Sequence, residues 1–226
     1  MNAITVVLAD DHAVVRAGFR ALLEAESGIE VVGEAETGRE AVRLAKKLLP
    51  AVVVMDIAMP LLNGLEATRQ ILKAVPAVKV LILSAHSDDE YVDEVIRMGA
   101  AGYLIKQTSA HILSEAIRQA HAGKTFLDPS ITKRLEDRQQ GSRHGVAGWR
   151  TKGNVGLTSR EVEILQLVAE GKANKRAADE LGISIKTVEK HRQHLNSKLG
   201  IHDTAGLTRY AISAGIIETS GPITIE

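Results

Sequence analysis

The chain has 226 residues, 45% of them hydrophobic and 25% charged, with no cysteine and a formal net charge of zero. That length suits one large domain or two ordinary ones with a soluble globular composition, and it excludes disulfide and thiolate chemistry. No apolar stretch approaches the roughly 20 residues of a membrane span, and the N-terminus lacks a signal-like apolar core, so no membrane partner and a cytoplasmic location are expected.

Apolar strand-like runs recur at Ile4–Ala9, Glu30–Ala35, Ala51–Met55, Lys79–Ser84 and Gly102–Lys106. Helical periodicity fills the gaps at Ala13–Glu26, Arg39–Leu49, Leu65–Val75, Asp88–Met98 and Ala110–Ala122. Thr37-x-x-Glu40 and Ser87-x-x-Glu90 are capping boxes that mark two helix starts. Five βα repeats predict an α/β domain over residues 1–122, a doubly wound, five-stranded parallel sheet of flavodoxin-like order 2-1-3-4-5. A linker over 123–156 follows, with a short helix at about 128–138 and then the glycine-rich stretch QQGSRHGVAGWRTKGNVG, which holds Trp149, the chain's one tryptophan. Residues 157–217 read as a small all-α domain of four helices. Thr158-x-x-Glu161 opens the first and Gly171 ends it; the second spans Ala173–Leu181; Gly182 and the N-cap Ser184 lead to a third ending at Leu199; the last runs from Asp203 to about Ala214. Two helices punctuated in this way predict a helix-turn-helix. Residues 218–226 are a C-terminal tail.

The neutral total hides an asymmetry. Residues 1–122 carry 12 basic and 16 acidic side chains, and the remainder carries 16 and 12. An acidic front and a basic back suit one anion-handling site and one nucleic-acid module.

The first strand ends in Asp10-Asp11 and the third in Asp56, and strands 1 and 3 are neighbours at the switch point of such a sheet. Three converging carboxylates need a cation, and hard oxygens suit Mg2+. Ser84 and Lys106 end the fourth and fifth strands and add a hydroxyl and an ammonium to the same rim. One aspartate at a strand end is usually a cap; the constellation is what predicts a phosphoryl receptor. A phosphohydrolase of the haloacid dehalogenase type would need a second carboxylate two residues after its nucleophile. Ala58 stands there, so an enzyme is not expected.

The order DD…D-x-A-M-P-x-x-x-G…S…K resembles the receiver domain of two-component response regulators, over residues 4–122. The resemblance implies that Asp56 accepts a phosphoryl group from a sensor histidine kinase. It also implies that Asp10, Asp11, Asp56 and the Ala58 carbonyl hold Mg2+, that Ser84 and Tyr103 form a switch pair, and that Lys106 pairs with the phosphate. Receivers often have proline after that lysine; Gln107 stands here, so a cis bond is not expected, since it costs roughly 3–4 kcal/mol. Ala58 and His86, flanking the site, are expected to tune the lifetime of the phosphoryl group.

In SIKTVEKHRQHLNSKL, residues 184–199, the helical period places Val188, Leu195 and Leu199 inward and Lys186, Lys190, Gln193 and Ser197 outward. Residues 157–217 resemble the LuxR-type helix-turn-helix, and the two resemblances together indicate a NarL/FixJ-type response regulator. By that resemblance Glu189, Lys190 and Gln193 read base edges of double-stranded promoter DNA. Thr187, His191, Arg192 and Lys198 contact phosphates, Asn174 and Lys175 lie near the backbone, and the last helix is the seam of a homodimer formed on phosphorylation. The implied mechanism has the two domains in contact beforehand, occluding Lys190 and Gln193; phosphorylation draws Ser84 in, Tyr103 turns inward, and the face formed by the fourth helix, fifth strand and fifth helix changes shape. DNA binding without phosphorylation as the trigger is the rival expectation.

Overall fold

The computed structural model describes residues 3–85, 89–107, 110–141 and 156–217. Six strands, β1 (Ile4–Ala9), β2 (Ile29–Ala35), β3 (Val52–Asp56), β4 (Lys79–Ser84), β5 (Gly102–Ile105) and β6 (Phe126–Leu127), form one parallel sheet of order β2-β1-β3-β4-β5-β6. The expected order of five is thus present, extended by one short strand. The helices α1 (Ala13–Glu24), α2 (Gly38–Leu48), α3 (Gly64–Ala74), α4 (Asp89–Met98) and α5 (Ala110–His121) alternate with the first five strands. Side chains alternate across each strand, so one β3 feeds two cores. Val52 and Val54 meet Phe19 and Leu23 of α1 and Leu113 and Ile117 of α5, whereas Val53 and Met55 meet Val42, Ile71 and Val95 of α2, α3 and α4.

The sixth strand pairs Gly102 with Phe126 and Tyr103 with Leu127. Glycine is required at 102 because a Cβ there would lie 2.1 Å from the Phe126 carbonyl oxygen. The linker helix α6 (Pro129–Gly141) follows at once and runs a few residues beyond its expected end. Asp128 starts it, accepting from the Ser130 N–H (3.0 Å) and donating its own N–H to the Tyr103 carbonyl (2.8 Å). Ile131 is buried in the same core as Tyr103, so the beginning of the linker is tied to β5. Trp149, most of the glycine-rich stretch, His86, Ser87 and the tail lie outside the described residues.

The C-terminal unit consists of α7 (Ser159–Ala169), α8 (Asn174–Leu181), α9 (Ile185–Leu199) and α10 (Thr204–Ser213) around Leu165, Val188, Leu195, Leu207 and Ala211. The Thr158–Glu161 capping box is complete. The Thr37–Glu40 box is half-formed. Thr37 accepts from the Glu40 N–H, but the Glu40 carboxylate accepts from the Glu36 N–H instead. Gly182 takes φ +62° to end α8, a left-handed turn that glycine makes without strain, and the Ser184 hydroxyl then accepts from the Thr187 N–H to start α9. The two units touch where α7 meets the loop between β3 and α3.

Candidate functional site

Asp56 closes β3 with only 3% of its side chain exposed. Register does the positioning. Ala9 pairs with Met55, Asp56 with Leu83, and Ser84 with Ile105, so Asp10, Asp56, Ser84 and Lys106 come to one rim of the sheet. The Lys106 Nζ lies 2.8 Å from Asp10 Oδ2 and 2.8 Å from Asp56 Oδ2, joining the two acidic strands through a third. Its backbone N–H donates to the Ser84 carbonyl at 2.8 Å. Among the described residues there is no cis peptide bond, and Lys106–Gln107 is trans.

Burial pushes the Asp56 carboxyl up to about 6; the Lys106 ammonium opposes this, and Asp10 and Asp11 add to it. Burial pulls the Lys106 ammonium down, but its two carboxylate partners outweigh that and leave it above the ordinary lysine range. Asp56 is therefore mostly ionised at neutral pH and is held there at an energetic disadvantage. A Cβ at Gly64 would stand 1.8 Å from the Asp56 carbonyl oxygen, so glycine alone lets α3 start this close to the end of β3.

Asp10, Asp11, His12 and Asp56 each offer a ligand atom, all within 4.8 Å of one another. Three carboxylates facing one ammonium leave excess negative charge, and hard oxygens at this spacing fit Mg2+. Ala58, two residues beyond Asp56, is half-buried on the same loop. Ser84 is buried at the rim and Tyr103 is fully buried. Tyr103 therefore already occupies the inward position that the expected switch would have it enter.

Two contributors were not foreseen. Arg16 is buried, donates to the Asp10 carbonyl (2.7 Å), and pairs with Glu36 (2.6 Å) and Glu34 (3.4 Å), which fixes the turn carrying the acidic pair. The signal was a basic residue in register with Phe19 and Leu23 on the core face of α1. His12, whose Nδ1 lies 2.6 Å from Asp11 Oδ1, sits directly after the pair.

In the C-terminal unit Val188 and Leu195 are fully buried and Leu199 half-buried, while Lys186, Glu189, Lys190, Gln193 and Ser197 are exposed on the outer ridge of α9. Thr187, His191 and Arg192 are half-buried, and Lys175 is exposed on α8. Asn174 accepts from Arg192 Nη1 at 2.6 Å, linking the two helices of the motif. Lys198, a phosphate-contact candidate, is exposed near the end of α9. Its ammonium is engaged with Glu161 (2.6 Å) and the Gly156 carbonyl (3.2 Å). Burial pushes the Glu161 carboxyl up, but Lys198 and the Thr158 cap prevail and hold it below the usual carboxylate range. Contact between the two units was also expected to cover Lys190 and Gln193. It does not, because α7 makes the contact and α9 faces solvent.

A family profile described as "Response regulator receiver domain" matches residues 6–118, and one described as "Bacterial regulatory proteins, luxR family" matches residues 155–211. The chain is 42% identical over 208 residues to the transcriptional regulatory protein LiaR of Bacillus subtilis strain 168, covering 92% of this chain and 96% of LiaR. It is 37% identical over 228 residues to the transcriptional regulatory protein DegU of Brevibacillus brevis, covering 96% of each. Among solved structures it is similar to the response regulator ChrA of a haem-sensing two-component system (TM-score 0.51, 33% identity, 96% of this chain and 100% of that one). It is similar too to the two-component response regulator RcsB in complex with DNA (TM-score 0.57, 27% identity, 94% and 99%). Among the described residues no helix is long and apolar enough to cross a membrane.

Proposed function

Because the chain belongs to the response regulators that join a receiver domain to a LuxR-type DNA-binding domain, we propose that Asp56 is its phosphoacceptor and that phosphorylation there governs binding of α9 to promoter DNA. The observation that carries this reading is the Lys106 ammonium at 2.8 Å from both Asp10 and Asp56. An Asp56 carboxylate oxygen attacks the phosphorus of a sensor kinase's phosphohistidine. The new O–P bond forms as the P–N bond breaks, and the bonding pair leaves on the imidazole nitrogen. Lys106 offsets the charge of the transferred group with a charge-assisted bond, and the Ser84 hydroxyl stands at the same rim for a second. Asp10, Asp11, Asp56 and the Ala58 carbonyl would hold Mg2+, which would supply charge neutralisation for the transfer.

On the DNA side, Glu189, Lys190 and Gln193 are the base-edge readers, supported by their exposure on one ridge. Lys175, Thr187, His191, Arg192 and Asn174 flank them toward the phosphates, and two chains paired through α10 read two half-sites about one helical turn apart. Acting on promoters places the protein in the cytoplasm. The test is the DNA affinity of the intact chain at fixed salt, with and without Mg2+ plus a small phosphodonor, beside Asp56→Ala. Tightening in the parent alone is expected. Equal affinity in all samples overturns phosphorylation gating and leaves a constitutive DNA-binding protein.

A further inference from the structure

The contact between the two domains has an unusual target. Glu163 and Gln166 of α7 and its C-cap residue Glu170 project from one side of the helix, and Gln166 is only 1% exposed. Its Oε1 accepts from the Asn63 N–H (2.7 Å), and its Nε2 donates to the Met59 carbonyl (2.9 Å) and to Glu170 Oε1 (2.8 Å). Glu170 Oε1 also accepts from the Leu61 N–H at 3.0 Å. All three receiver groups are main-chain atoms of one loop, and that loop begins directly after Asp56. Glu163 adds a side-chain contact with Gln70 at 2.7 Å, and Asn63 Nδ2 donates to the Ile216 carbonyl at 3.2 Å.

A second observation is independent of these bonds. Leu61 has φ +66°, in the left-handed region that residues with a branched side chain avoid. Glycine or asparagine would hold that turn with less strain. The leucine side chain is packed against the core of the other domain, among the residues around α7 and α10. A strained residue persists where its surroundings over-determine it, and here part of those surroundings belongs to the DNA-binding domain.

We propose that α7 senses the phosphorylation state of Asp56 directly, by gripping the backbone of residues 59–63 through Gln166 and Glu170 with Leu61 as a plug. This rests on Asp56 being the phosphoacceptor. It adds a route from acceptor loop to DNA-binding domain that bypasses Ser84, Tyr103 and the α4–β5 face. A grip on main-chain atoms responds to the shape of the loop, whatever its side chains. A buried amide whose oxygen and nitrogen are both engaged does not loosen gradually, since losing one partner leaves a buried polar group unsatisfied. The coupling is reciprocal: the factor by which phosphorylation weakens the grip equals the factor by which the grip disfavours the phosphorylated state.

The experiment follows amide hydrogen exchange at Leu61 and Asn63 in the intact chain by NMR, with and without acetyl phosphate and Mg2+. It compares the parent with Gln166→Ala and Leu61→Gly and measures the extent of acyl phosphate in each. In the parent, both amides are expected to be protected and to exchange at least tenfold faster once the acyl phosphate forms. Both variants should exchange fast from the start and reach a given extent of phosphorylation at about tenfold less phosphodonor. Leu61→Gly should do so with the receiver's unfolding midpoint unchanged or raised, which separates release of the plug from misfolding. Unprotected amides in the unphosphorylated parent overturn the grip itself. Acyl phosphate forming with no change in exchange, or variants taking up phosphate like the parent, overturns the sensing while leaving Asp56 as acceptor. Absence of acyl phosphate on the parent overturns the phosphoacceptor reading, and the sensing with it.

Discussion

Replacing Asp56 by asparagine removes a charge that the folded receiver holds at a disadvantage, so the variant should be more stable than the parent wherever that charge is present. Burial raises the carboxyl from an ordinary value of 3.8 to about 6, against the opposing Lys106. At about 1.4 kcal/mol per tenfold change in proton affinity, the difference amounts to about 3 kcal/mol. The sign follows from which state binds the proton more tightly. Between pH 4 and 6 the folded protein does, so stability falls as pH rises through that window and levels off above it. The substituted amide stays neutral throughout, and Lys106 keeps its Asp10 partner at 2.8 Å. The assay is urea unfolding of the receiver transition in metal-free buffer from pH 4 to 8, read as variant minus parent so that other titrating groups cancel. A difference near zero at pH 4, growing to about 3 kcal/mol by pH 7, is expected, and Mg2+ should shrink it by favouring the ionised parent. A difference that does not vary with pH would refute the account of a buried, disfavoured carboxylate.

Gly64→Ala should destabilise the receiver by about 3 kcal/mol or more in the same urea assay, because its Cβ would fall 1.8 Å from the Asp56 carbonyl oxygen; a loss under about 1 kcal/mol would mean that the loop yields easily. Lys198→Ala should lower the unfolding midpoint of the C-terminal domain while leaving the salt dependence of DNA binding unchanged, since its ammonium is engaged with Glu161; a shallower salt slope by about one ion would assign it to a DNA phosphate instead. Gln193→Ala should leave that midpoint in place, being exposed, and weaken binding to the cognate site by about 1–3 kcal/mol with relaxed preference at one base pair; uniform weakening across all sequences would make it a backbone contact.

The site was legible because a buried strand and its polar terminus contrast sharply. Asp10, Asp56, Ser84 and Lys106 each end an apolar run, so the runs located the strands and their last residues located the rim. What was not legible has three physical origins. The strand at Phe126–Leu127 is too short for any period to show, and it exists because Gly102 leaves room for it. Gln166 and Lys198 are polar residues on helices, which by residue type read as facing water, and Arg16, although in register with Phe19 and Leu23, carries a charge that needs partners from elsewhere in the chain. Their partners lie in other elements, and only tertiary contact reveals that Arg16 and Gln166 are buried. Leu61 carries no sign of its positive φ, since leucine is not a residue that announces a left-handed turn. The α9 ridge lies between these cases. Periodicity correctly placed Val188 and Leu195 inside and Lys190 and Gln193 outside, but it could not say that the receiver would leave the ridge uncovered.

That uncovered ridge changes what phosphorylation has to accomplish. With Glu189, Lys190 and Gln193 already exposed while the domains touch, uncovering these side chains is not what phosphorylation has to do, and on the proposed reading control acts on pairing. The receiver holds α7 at Gln166 and the turn after α10 at the Ile216 carbonyl, and α7 and α10 share one core through Leu165, Leu207 and Ala211. Holding both fixes how the outer face of α10, exposed at Ala205, Arg209 and Ser213, is presented to a second copy. One reader on one half-site gains nothing from a partner; two joined readers gain the effective concentration of the second site, a factor of about 100 or more. Phosphodonor should therefore leave affinity for an isolated half-site unchanged and tighten binding to the paired site, with steeper dependence on protein concentration. The comparison needs one oligonucleotide carrying both half-sites and one with the second half-site scrambled, titrated at the same salt. Equal tightening on both would mean that α9 itself had been restrained, and would contradict the exposure on which the reasoning rests.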